Sequence, residues 1–414
     1  MRRASVLLAL VAWLPGAFLW ADAAWAATIP FGGRDWWING VNVPWNQYGS
    51  DAGSHDSWGH LYDPAWFEAF FAECESSGIN CVRLWIHCDG RSSPEFDGSG
   101  YVTGLDGTFL DDLEDILLRA ESHGVMVMPC LWSFDMTNDG TAGAGPYAGL
   151  HADLIQDAAR TQSYIDNALV PMLERLASAP NLFAWEIINE PEWSVLGNTD
   201  ETVGLGEMQR FCAMIAEAVH ERSATMVSVG SASLKWNSDL VPPAEGNWWS
   251  DEALIAAHSS ALAYLDFYQV HYYDWMWDPG WGYDPFDVVT PKPTSHWLLD
   301  KPVLVGECPA DDSGMYTMSE QLDNAFANGY VGVMFWSYNS DWSSNWASTT
   351  AALAAFRNAH PDLVAGIPYA SGRGAGCAGG GLPSGAGAFG LAAALALLLA
   401  RMILRQRRQP RPAA

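Results

Sequence analysis

The stretch Trp185-Glu-Ile-Ile-Asn-Glu-Pro-Glu-Trp193 is a mostly apolar run, rich in β-branched residues, that stops abruptly at the carboxylate of Glu190. A second stretch, Lys301-Pro-Val-Leu-Val-Gly-Glu-Cys-Pro309, has the same design and stops at Glu307. Near-continuous apolar runs of this length are typical of strands buried on both faces, as in parallel sheets. Together the two runs predict a pair of acids at the rim of one sheet.

Apolar runs of the same kind recur along the chain and alternate with helical patterns. The eight predicted strands are Trp36–Val43, Asn80–Ile86, Val125–Leu131, Leu182–Ile188, Met226–Val229, Phe267–His271, Val303–Gly306 and Gly332–Trp336. Apolar residues at helical spacing between them predict helices over Pro64–Ser77, Phe109–His123, Glu201–Arg222 and Ser319–Gly329. Eight strand–helix repeats predict an α/β fold, a (β/α)8 TIM barrel, in which residues at the strand carboxyl ends line the active face. Glu190 and Glu307 would end the fourth and seventh strands.

The amino-terminal residues 1–26 have the pattern of a signal peptide. A basic start at Arg2 and Arg3 is followed by the largely apolar stretch 4–20, and Ala24-Trp25-Ala26 resembles a cleavage site. We therefore expect export. Residues 27–371 contain no break rich in Pro, Gly or Ser, so we expect them to form one barrel domain.

The carboxyl-terminal residues follow a different pattern in three parts. Residues 372–385 form a Gly-rich linker with Cys377, residues 386–404 a hydrophobic segment, and residues 405–414 a basic tail. The hydrophobic segment approaches the roughly 17 residues that can span a bilayer, and arginines after it favour the cytoplasmic side. The alternative is a buried helix, although a globular core does not usually end in a run of arginines. The arrangement resembles the carboxyl-terminal sorting signals of myxobacteria and related bacteria. We expect a secreted or cell-surface protein, tethered to the membrane by this segment or processed near Cys377.

Charge and cysteine content narrow the classes of partner. The chain carries 20 basic and 48 acidic residues, for a net charge of −28, and most of the tail and leader charges are basic. Nucleic acid is excluded as a partner because its phosphates would be repelled, whereas a neutral polysaccharide is unaffected. No Cys-x-x-Cys pair or His/Cys cluster has the spacing of a metal site. We expect no metal, no cofactor and a monomer, and Cys88 with Cys130 is the preferred pair if disulfides form.

Two carboxyl groups that flank a common cleft are what the hydrolysis of a glycosidic bond requires. Further motifs at strand ends add to this picture. They are Arg83 in Asn-Cys-Val-Arg-Leu-Trp, the triplet Asn189-Glu190-Pro191, His271 and Tyr273 in Val-His-Tyr-Tyr-Asp-Trp, Glu307 in Val-Gly-Glu, and Trp336 in Phe-Trp. In this order, from about residue 36 to residue 336, the motifs resemble glycoside hydrolase family 5, within the large clan of retaining (β/α)8 glycosidases.

The resemblance implies a role for each polar residue. Glu190 would be the general acid/base and Glu307 the nucleophile. Arg83 would keep Glu307 ionised, because a nearby guanidinium lowers the pKa of a carboxyl group. Asn189 would bind the sugar 2-hydroxyl, and Tyr273 would donate a hydrogen bond to Glu307.

Other candidate residues have two interpretations each. His271 would orient Tyr273 or the substrate, or would only fill the core. Trp336 would form the floor of the subsite for the reacting sugar. Of the 22 tryptophans, Trp45 and Trp132 are predicted to bind substrate, since aromatic faces stack on sugar rings. Taken singly, each of these rings fits a core position as well as a sugar platform.

The substrate is predicted from finer features. The segment Asn42-Val-Pro-Trp45, the loop Cys88-Asp-Gly-Arg91 and the Asp-Trp that follows His-x-Tyr resemble the endo-β-mannanase branch. Cellulase-type members often carry a His after the third strand, and Met128-Pro-Cys-Leu-Trp132 offers none. Cys308 beside Glu307 departs from the usual pattern. We expect a mannan endo-1,4-β-mannosidase, with an endo-β-1,4-glucanase or a non-catalytic carbohydrate-binding protein as alternatives.

Overall fold

A computed structural model describes residues 27–54, 61–138, 150–242, 245–277, 281–338 and 345–367. At its centre, eight parallel strands close into a barrel, in chain order around the ring, and the last strand pairs with the first. The strands are β1 (Ile38–Val43), β2 (Cys81–Trp85), β3 (Met126–Ser133), β4 (Ala184–Asn189), β5 (Met226–Ser231), β6 (Tyr268–His271), β7 (Val303–Pro309) and β8 (Gly332–Trp336). The predicted (β/α)8 TIM barrel is confirmed, and each predicted strand overlaps an observed one.

Helices connect the strands. They are α1 (Pro64–Ser77), α2 (Phe109–Ser122), α3 (Leu150–Gln156), α4 (Ala158–Tyr164), α5 (Val170–Leu176), α6 (Glu192–Val195), α7 (Leu205–Arg222), α8 (Asp251–His258), α9 (Met318–Ala327) and α10 (Trp346–Ala359). The sequence sets the ends of α1, where the Asp63 side chain accepts the N–H groups of Ala65 and Trp66 and Gly78 turns left-handed at φ 76°. The helix predicted from Glu201 begins later, at Leu205, because Glu207 caps the free N–H of Gly204.

Apolar side chains fill the amino-terminal half of the barrel interior. Cys81, Met126, Met128 and Met334 are all buried there, together with large residues that lie just before or at the strand starts. A short antiparallel ribbon of Ile29–Phe31 and Arg34–Trp36 contributes to the same cluster. This packed base leaves the carboxyl-terminal half of the interior for polar groups, which is the half that carries the active face in barrels of this type.

The strand register is irregular near the acids that the sequence singled out. The β4–β5 pairing shifts between Glu186 and Asn189, and the β7–β8 pairing shifts between Val305 and Cys308. Bulges redirect side chains and are concentrated near active sites. Both irregularities lie at the carboxyl ends of the strands that lead into Glu190 and Glu307.

The six cysteines of the described residues are free and buried, so the pairing predicted for Cys88 and Cys130 is wrong. The two thiols share one small apolar cluster, but the Cys130 sulfur instead contacts Glu186 Oε1 at 3.3 Å. The predicted signal peptide, linker, hydrophobic segment and basic tail lie outside the described residues. Within the described ranges, no helix combines the length and apolar character needed to cross a membrane.

Candidate active site

Arg83 organises the polar half of the barrel interior. It lies on β2 and is fully buried. Its Nη1 donates to Glu307 Oε1 at 2.6 Å and to Asn42 Oδ1 at 2.8 Å. On its other side, Nη2 donates to Asn189 Oδ1 at 2.7 Å and to Glu186 Oε1 at 2.6 Å. One guanidinium thus joins side chains from β1, β4 and β7, and the fork geometry fixes their relative positions.

Glu186 is a third buried carboxylate that the sequence analysis did not single out. It lies in the middle of β4, and its Oε2 accepts from Arg83 Nε at 2.5 Å and from Gln269 Nε2 at 2.9 Å. Burial alone would raise the pKa of Glu186, but the Arg83 guanidinium outweighs it and holds the pKa below the usual range. Glu186 is therefore a permanent anion that balances Arg83. In the sequence, the position of this glutamate inside an otherwise apolar strand was the feature that could have indicated a buried ion pair.

Glu307 lies on β7 with both carboxyl oxygens bound. Arg83 holds Oε1, and the Tyr273 hydroxyl donates to Oε2 at 2.9 Å. Burial raises the pKa of Glu307 above its usual value, against the opposing effects of His271, Arg83 and the Tyr273 hydrogen bond. The predicted contacts of Glu307 with Arg83 and Tyr273 are both present. The pKa of Glu307 is nevertheless raised, because the removal of the carboxyl group from water outweighs these contacts. Two donors to an unprotonated carboxylate suit a nucleophile.

Glu190 is the first residue beyond β4 and has a left-handed backbone, with φ 47°. A side chain at such an angle is strained by roughly 1–2 kcal/mol, and strain of this kind concentrates at functional sites. Its backbone N–H donates to the Gly230 carbonyl at 2.6 Å, which ties the turn to β5. The turn aims the carboxyl into the cleft, where 14% of the side chain is exposed.

The surroundings of the Glu190 carboxyl contain neutral donors in place of a cation. His271 Nδ1 lies 2.7 Å from Oε1, and the indole N–H of Trp193 donates to Oε2 at 2.7 Å. Burial raises the pKa of Glu190 to about 7, with the Trp193 hydrogen bond and the more distant Arg83 opposing the shift. A carboxyl group with this pKa can hold a proton near neutral pH, as a general acid must.

His271 is fully buried at the end of β6. Burial lowers its pKa to about 4, against the attraction of Glu307, so the ring is neutral near neutral pH. Its Nε2 is buried without a hydrogen-bond partner among the described residues. A neutral ring that carries its hydrogen on Nδ1 satisfies the contact with Glu190. The sequence predicted that His271 orients Tyr273 or the substrate, or fills the core, and did not indicate this contact with Glu190.

The two carboxyl groups approach each other closely. One oxygen of Glu190, one oxygen of Glu307 and one ring nitrogen of His271 all lie within 4.8 Å of one another. Inverting glycosidases keep their carboxyl groups about 6.5–9.5 Å apart to fit a water between them, whereas retaining enzymes hold them about 5–5.5 Å apart. The short separation is that of a retaining mechanism.

The same three residues are the ones that could gather around a metal ion. Across the described ranges, no other group of three His, Cys, Asp or Glu side chains meets this condition. The donor atoms already serve the protein: His271 Nδ1 contacts Glu190 Oε1, and Glu307 Oε2 accepts from Tyr273. Each of these donor atoms thus has a partner within the protein.

Asn189 is the last residue of β4 and is almost fully buried. Its Oδ1 is taken by Arg83 Nη2. The remaining amide group, Nδ2, is a donor only and is the part of the side chain left for a sugar hydroxyl. This arrangement suits the predicted contact with the 2-hydroxyl, because Arg83 holds the carbonyl and no acceptor for Nδ2 is found among the described residues.

Four aromatic rings pack together near the carboxyl ends of β1, β2 and β8, and we call them the β8 wall: Trp45, Tyr48, Trp85 and Trp336. Trp336 ends β8 and its ring lies 5.7 Å from Trp85 and 6.4 Å from Trp45, between centroids. Trp45 also packs on Tyr48 at 4.8 Å. Trp45, Tyr48 and Trp336 remain partly exposed, so this wall has aromatic surface to offer a sugar.

Trp132 is not part of that wall, and its predicted contact with substrate is wrong. The indole is fully buried and packs between His87 and Tyr164, with ring centroids at 4.9 and 5.2 Å. Gly90 covers it so closely that an added Cβ would lie 3.1 Å from the ring. The chain that follows β2 therefore seals this tryptophan into the core.

A second group of aromatic rings lies on the side of Glu190, and we call it the β5 wall: Trp193, Trp236, Trp275 and Trp281. The rings of Trp193 and Trp236 are 5.8 Å apart, and Trp281 lies 5.3 Å from Trp236 and 5.2 Å from Trp275. Trp275 is 54% exposed. Trp193 joins this group to the acid, because its indole N–H donates to Glu190 Oε2 at 2.7 Å.

Several known proteins with similar sequences or structures are mannanases by name. No family model matches the sequence. A mannan endo-1,4-β-mannosidase of Mytilus edulis is 31% identical over 328 residues, which covers 74% of this chain and 85% of that protein. The endo-1,4-β-mannanase of Eisenia fetida has a TM-score of 0.68 at 28% identity and covers 80% of this chain and 93% of its own. The β-1,4-mannanase of the sea hare Aplysia kurodai has a TM-score of 0.69 at 27% identity, covering 82% and 97%.

Proposed function

The chain belongs to the mannan endo-1,4-β-mannosidases of glycoside hydrolase family 5, and we propose that it cleaves internal β-1,4 bonds of mannan with retention of configuration. The observation that carries the mechanism is the approach of Glu190 and Glu307 oxygens to within 4.8 Å. The different surroundings of the two acids support one role for each.

In the first step, Glu307 attacks the anomeric carbon while Glu190 gives its proton to the departing oxygen. Glu307 begins ionised because Arg83 and Tyr273 stabilise its negative charge. Glu190 begins protonated because burial raises its pKa to about 7. The products are a glycosyl ester on Glu307 and a released sugar chain.

In the second step, water hydrolyses the ester and Glu190 acts as the base. Esterification removes the negative charge of Glu307, which otherwise disfavours a second negative charge on Glu190. The pKa of Glu190 therefore falls at the stage at which it must accept a proton from water. Departure of Glu307 restores both groups to their starting states.

The choice of mannan is tested by hydrolysis assays on a panel of soluble β-mannan, β-glucan and xylan. We expect the wild-type chain to cleave β-mannan, with internal cuts seen as a rapid fall in viscosity. Preferred cleavage of β-glucan would support the endo-β-1,4-glucanase alternative. Binding to mannan without any hydrolysis would support a non-catalytic carbohydrate-binding protein, against which the complete set of two acids, Arg83, Asn189 and Tyr273 argues.

We also propose that the enzyme is an exported monomer, held at the cell surface through residues 386–404 until processing near Cys377. The support is the composition of both ends: a basic and apolar leader, and a hydrophobic segment followed by arginines. Deletion of the residues after Gly372 should leave hydrolysis unchanged and move the enzyme to the soluble fraction. Identical partition of full-length and truncated chains, with neither processed, would refute the tether.

A further inference from the structure

The carboxyl group of Glu190 is held at both oxygens. His271 contacts Oε1, and the indole N–H of Trp193 donates to Oε2 at 2.7 Å. Trp193 follows Glu190 by three residues and is half-buried. An indole nitrogen can only donate, so this hydrogen bond has one polarity in every state of the acid.

We propose that Trp193 is a positioning residue that fixes the orientation of the Glu190 carboxyl through its indole N–H. The proposal rests on the function given above, because it assigns Glu190 the part of acid/base. With Oε2 anchored, the carboxyl cannot rotate about its last torsion, and the proton is presented in one direction. Orientation of this kind is a large part of what a protein contributes to proton transfer.

The turn that carries Trp193 is itself rigidly built. The backbone N–H of Trp193 donates to the Glu190 carbonyl at 3.2 Å. Between them, the fully buried carboxyl of Glu192 accepts from Ser231 Oγ at 2.7 Å and from Ala232 N–H at 3.0 Å, both at the end of β5. Because Glu192 is bound to the neighbouring strand, the indole beside it has a fixed base from which to hold Glu190.

Trp193 also connects the acid to the β5 wall. Its ring packs 5.8 Å from Trp236 and 6.4 Å from Trp281, between centroids. The indole is therefore held from behind by other aromatic rings while its nitrogen points at Glu190. The N–H favours the ionised carboxyl over the neutral acid, so its loss should leave Glu190 protonated to a higher pH.

The test compares two tryptophans that each donate to a glutamate. Trp193→Phe removes the N–H from Glu190 and keeps an aromatic ring. Trp249→Phe is the matched control, because the fully buried Trp249 donates to Glu192 Oε1, also at 2.7 Å, and not to Glu190. A second variant, Trp193→3-benzothienylalanine, replaces only the N–H by sulfur within the same bicyclic shape and covers the case in which Phe fails to pack.

Two kinetic readouts separate positioning from a merely structural role. On the glycan that the wild type cleaves, Trp193→Phe should lower kcat/KM by about 10- to 100-fold, within the usual contribution of a general acid, and should move the alkaline limb of its pH profile upward. On an aryl glycoside of the same sugar with a dinitrophenyl leaving group, which needs little protonation, the loss in the bond-breaking step should be much smaller. Trp249→Phe should lower the melting temperature and leave the alkaline limb in place.

A third readout requires no activity. In the Glu307→Gln protein, the 13C signal of the Glu190 carboxyl should titrate at higher pH when Trp193→Phe or Trp193→3-benzothienylalanine is added. An unmoved titration and an unmoved alkaline limb, or equal losses on both leaving groups, would overturn the proposal. Because the titration uses an inactive protein, it stands even if the wild type proves to cleave a glycan other than mannan.

Discussion

The two halves of the active face hold chemically identical side chains in opposite ways. On the β7 side, Glu307 shares the buried guanidinium of Arg83 with a second carboxylate, Glu186. On the β4 side, Glu190 has contacts with His271 and Trp193, both neutral, and has no cation in direct contact among the described residues. One glutamate is therefore built into a network of charges and the other into a network of neutral donors.

The backbone differs between the halves as well. Glu307 lies within β7, whereas Glu190 lies one residue past β4 on a left-handed turn. The strand fixes the position of Glu307, and Arg83 favours its ionised form against the opposing effect of burial. The turn places Glu190 against β5 and β6, where it contacts the Gly230 carbonyl and His271. The same residue type thus meets two electrostatic environments in one barrel, through a change of backbone position and of neighbouring groups.

Removing each acid in turn gives the strongest test of the different roles of Glu190 and Glu307. Glu307→Ala and Glu190→Ala should each lower turnover by several orders of magnitude, and added azide should rescue them differently. Azide replaces the missing nucleophile of Glu307→Ala and gives an inverted glycosyl azide. In Glu190→Ala it intercepts the glycosyl ester and gives the retained product. NMR of the two products checks the roles, and the same stereochemistry from both variants would contradict them.

The buried Arg83 network should contribute more to the stability of the fold than an ion pair at the surface. Arg83→Met leaves Glu186 and Glu307 buried without their counter-charge, which should lower the free energy of unfolding by about 3–5 kcal/mol at neutral pH. The control is Arg119→Met, since Arg119 is 27% exposed in its pair with Asp115 and should cost no more than about 1 kcal/mol. Urea denaturation of both variants measures the difference. Equal losses would mean that the Arg83 network is no more than a surface-like pair.

The pH dependence of kcat/KM should reflect the ionisation of both acids, Glu190 and Glu307. Glu190 must be protonated, so activity should fall as pH rises through about 7, the value to which burial raises its pKa. Glu307 must be ionised, and burial also raises its pKa, so activity should fall at the acid end from above the usual glutamate range. Each limb should fall tenfold per pH unit. A profile that stays flat well above pH 7 would remove Glu190 as the acid.

The smallest expected effect distinguishes exposed from buried aromatic rings. Trp336→Ala removes partly exposed surface from the β8 wall and should lower kcat/KM markedly, because a sugar in that half loses its stacking partner. Trp132→Phe should leave kcat and KM near their wild-type values and only lower the melting temperature, since that ring is fully buried. Hydrolysis assays and thermal unfolding of both variants check this contrast. A large rise in KM for Trp132→Phe would restore it as a substrate contact.

The sequence was sufficient for features that one strand determines alone. An apolar run that ends in an acid predicts a buried strand and a carboxylate near its end. Glu190 directly follows β4, and Glu307 lies within the last three residues of β7, which continues to Pro309. The spacing of apolar residues predicted helix α1 with the observed bounds, and Asp63 and Gly78 close its two ends locally.

Features that depend on contact between two distant segments could not be predicted from the sequence of a single strand. Glu186 lies within a strand, and its significance comes from Arg83, which is contributed by a different strand. Trp132 was misplaced because only the fold shows Gly90 closing over its ring. The Cys88–Cys130 pair was misjudged because proximity to strand ends does not say that Cys130 points toward Glu186.

The most direct test of the account is to trap the covalent intermediate. The full-length protein is incubated with a 2-deoxy-2-fluoro-β-mannosyl fluoride, which slows both steps but more so the second, and the labelled peptide is identified by mass spectrometry. A retaining mechanism with Glu307 as the nucleophile predicts one fluoromannosyl group on Glu307, in the peptide that contains Val305-Gly-Glu307-Cys. A label on Glu190 or Glu186, or an active enzyme whose first-formed product is the inverted anomer, would contradict it.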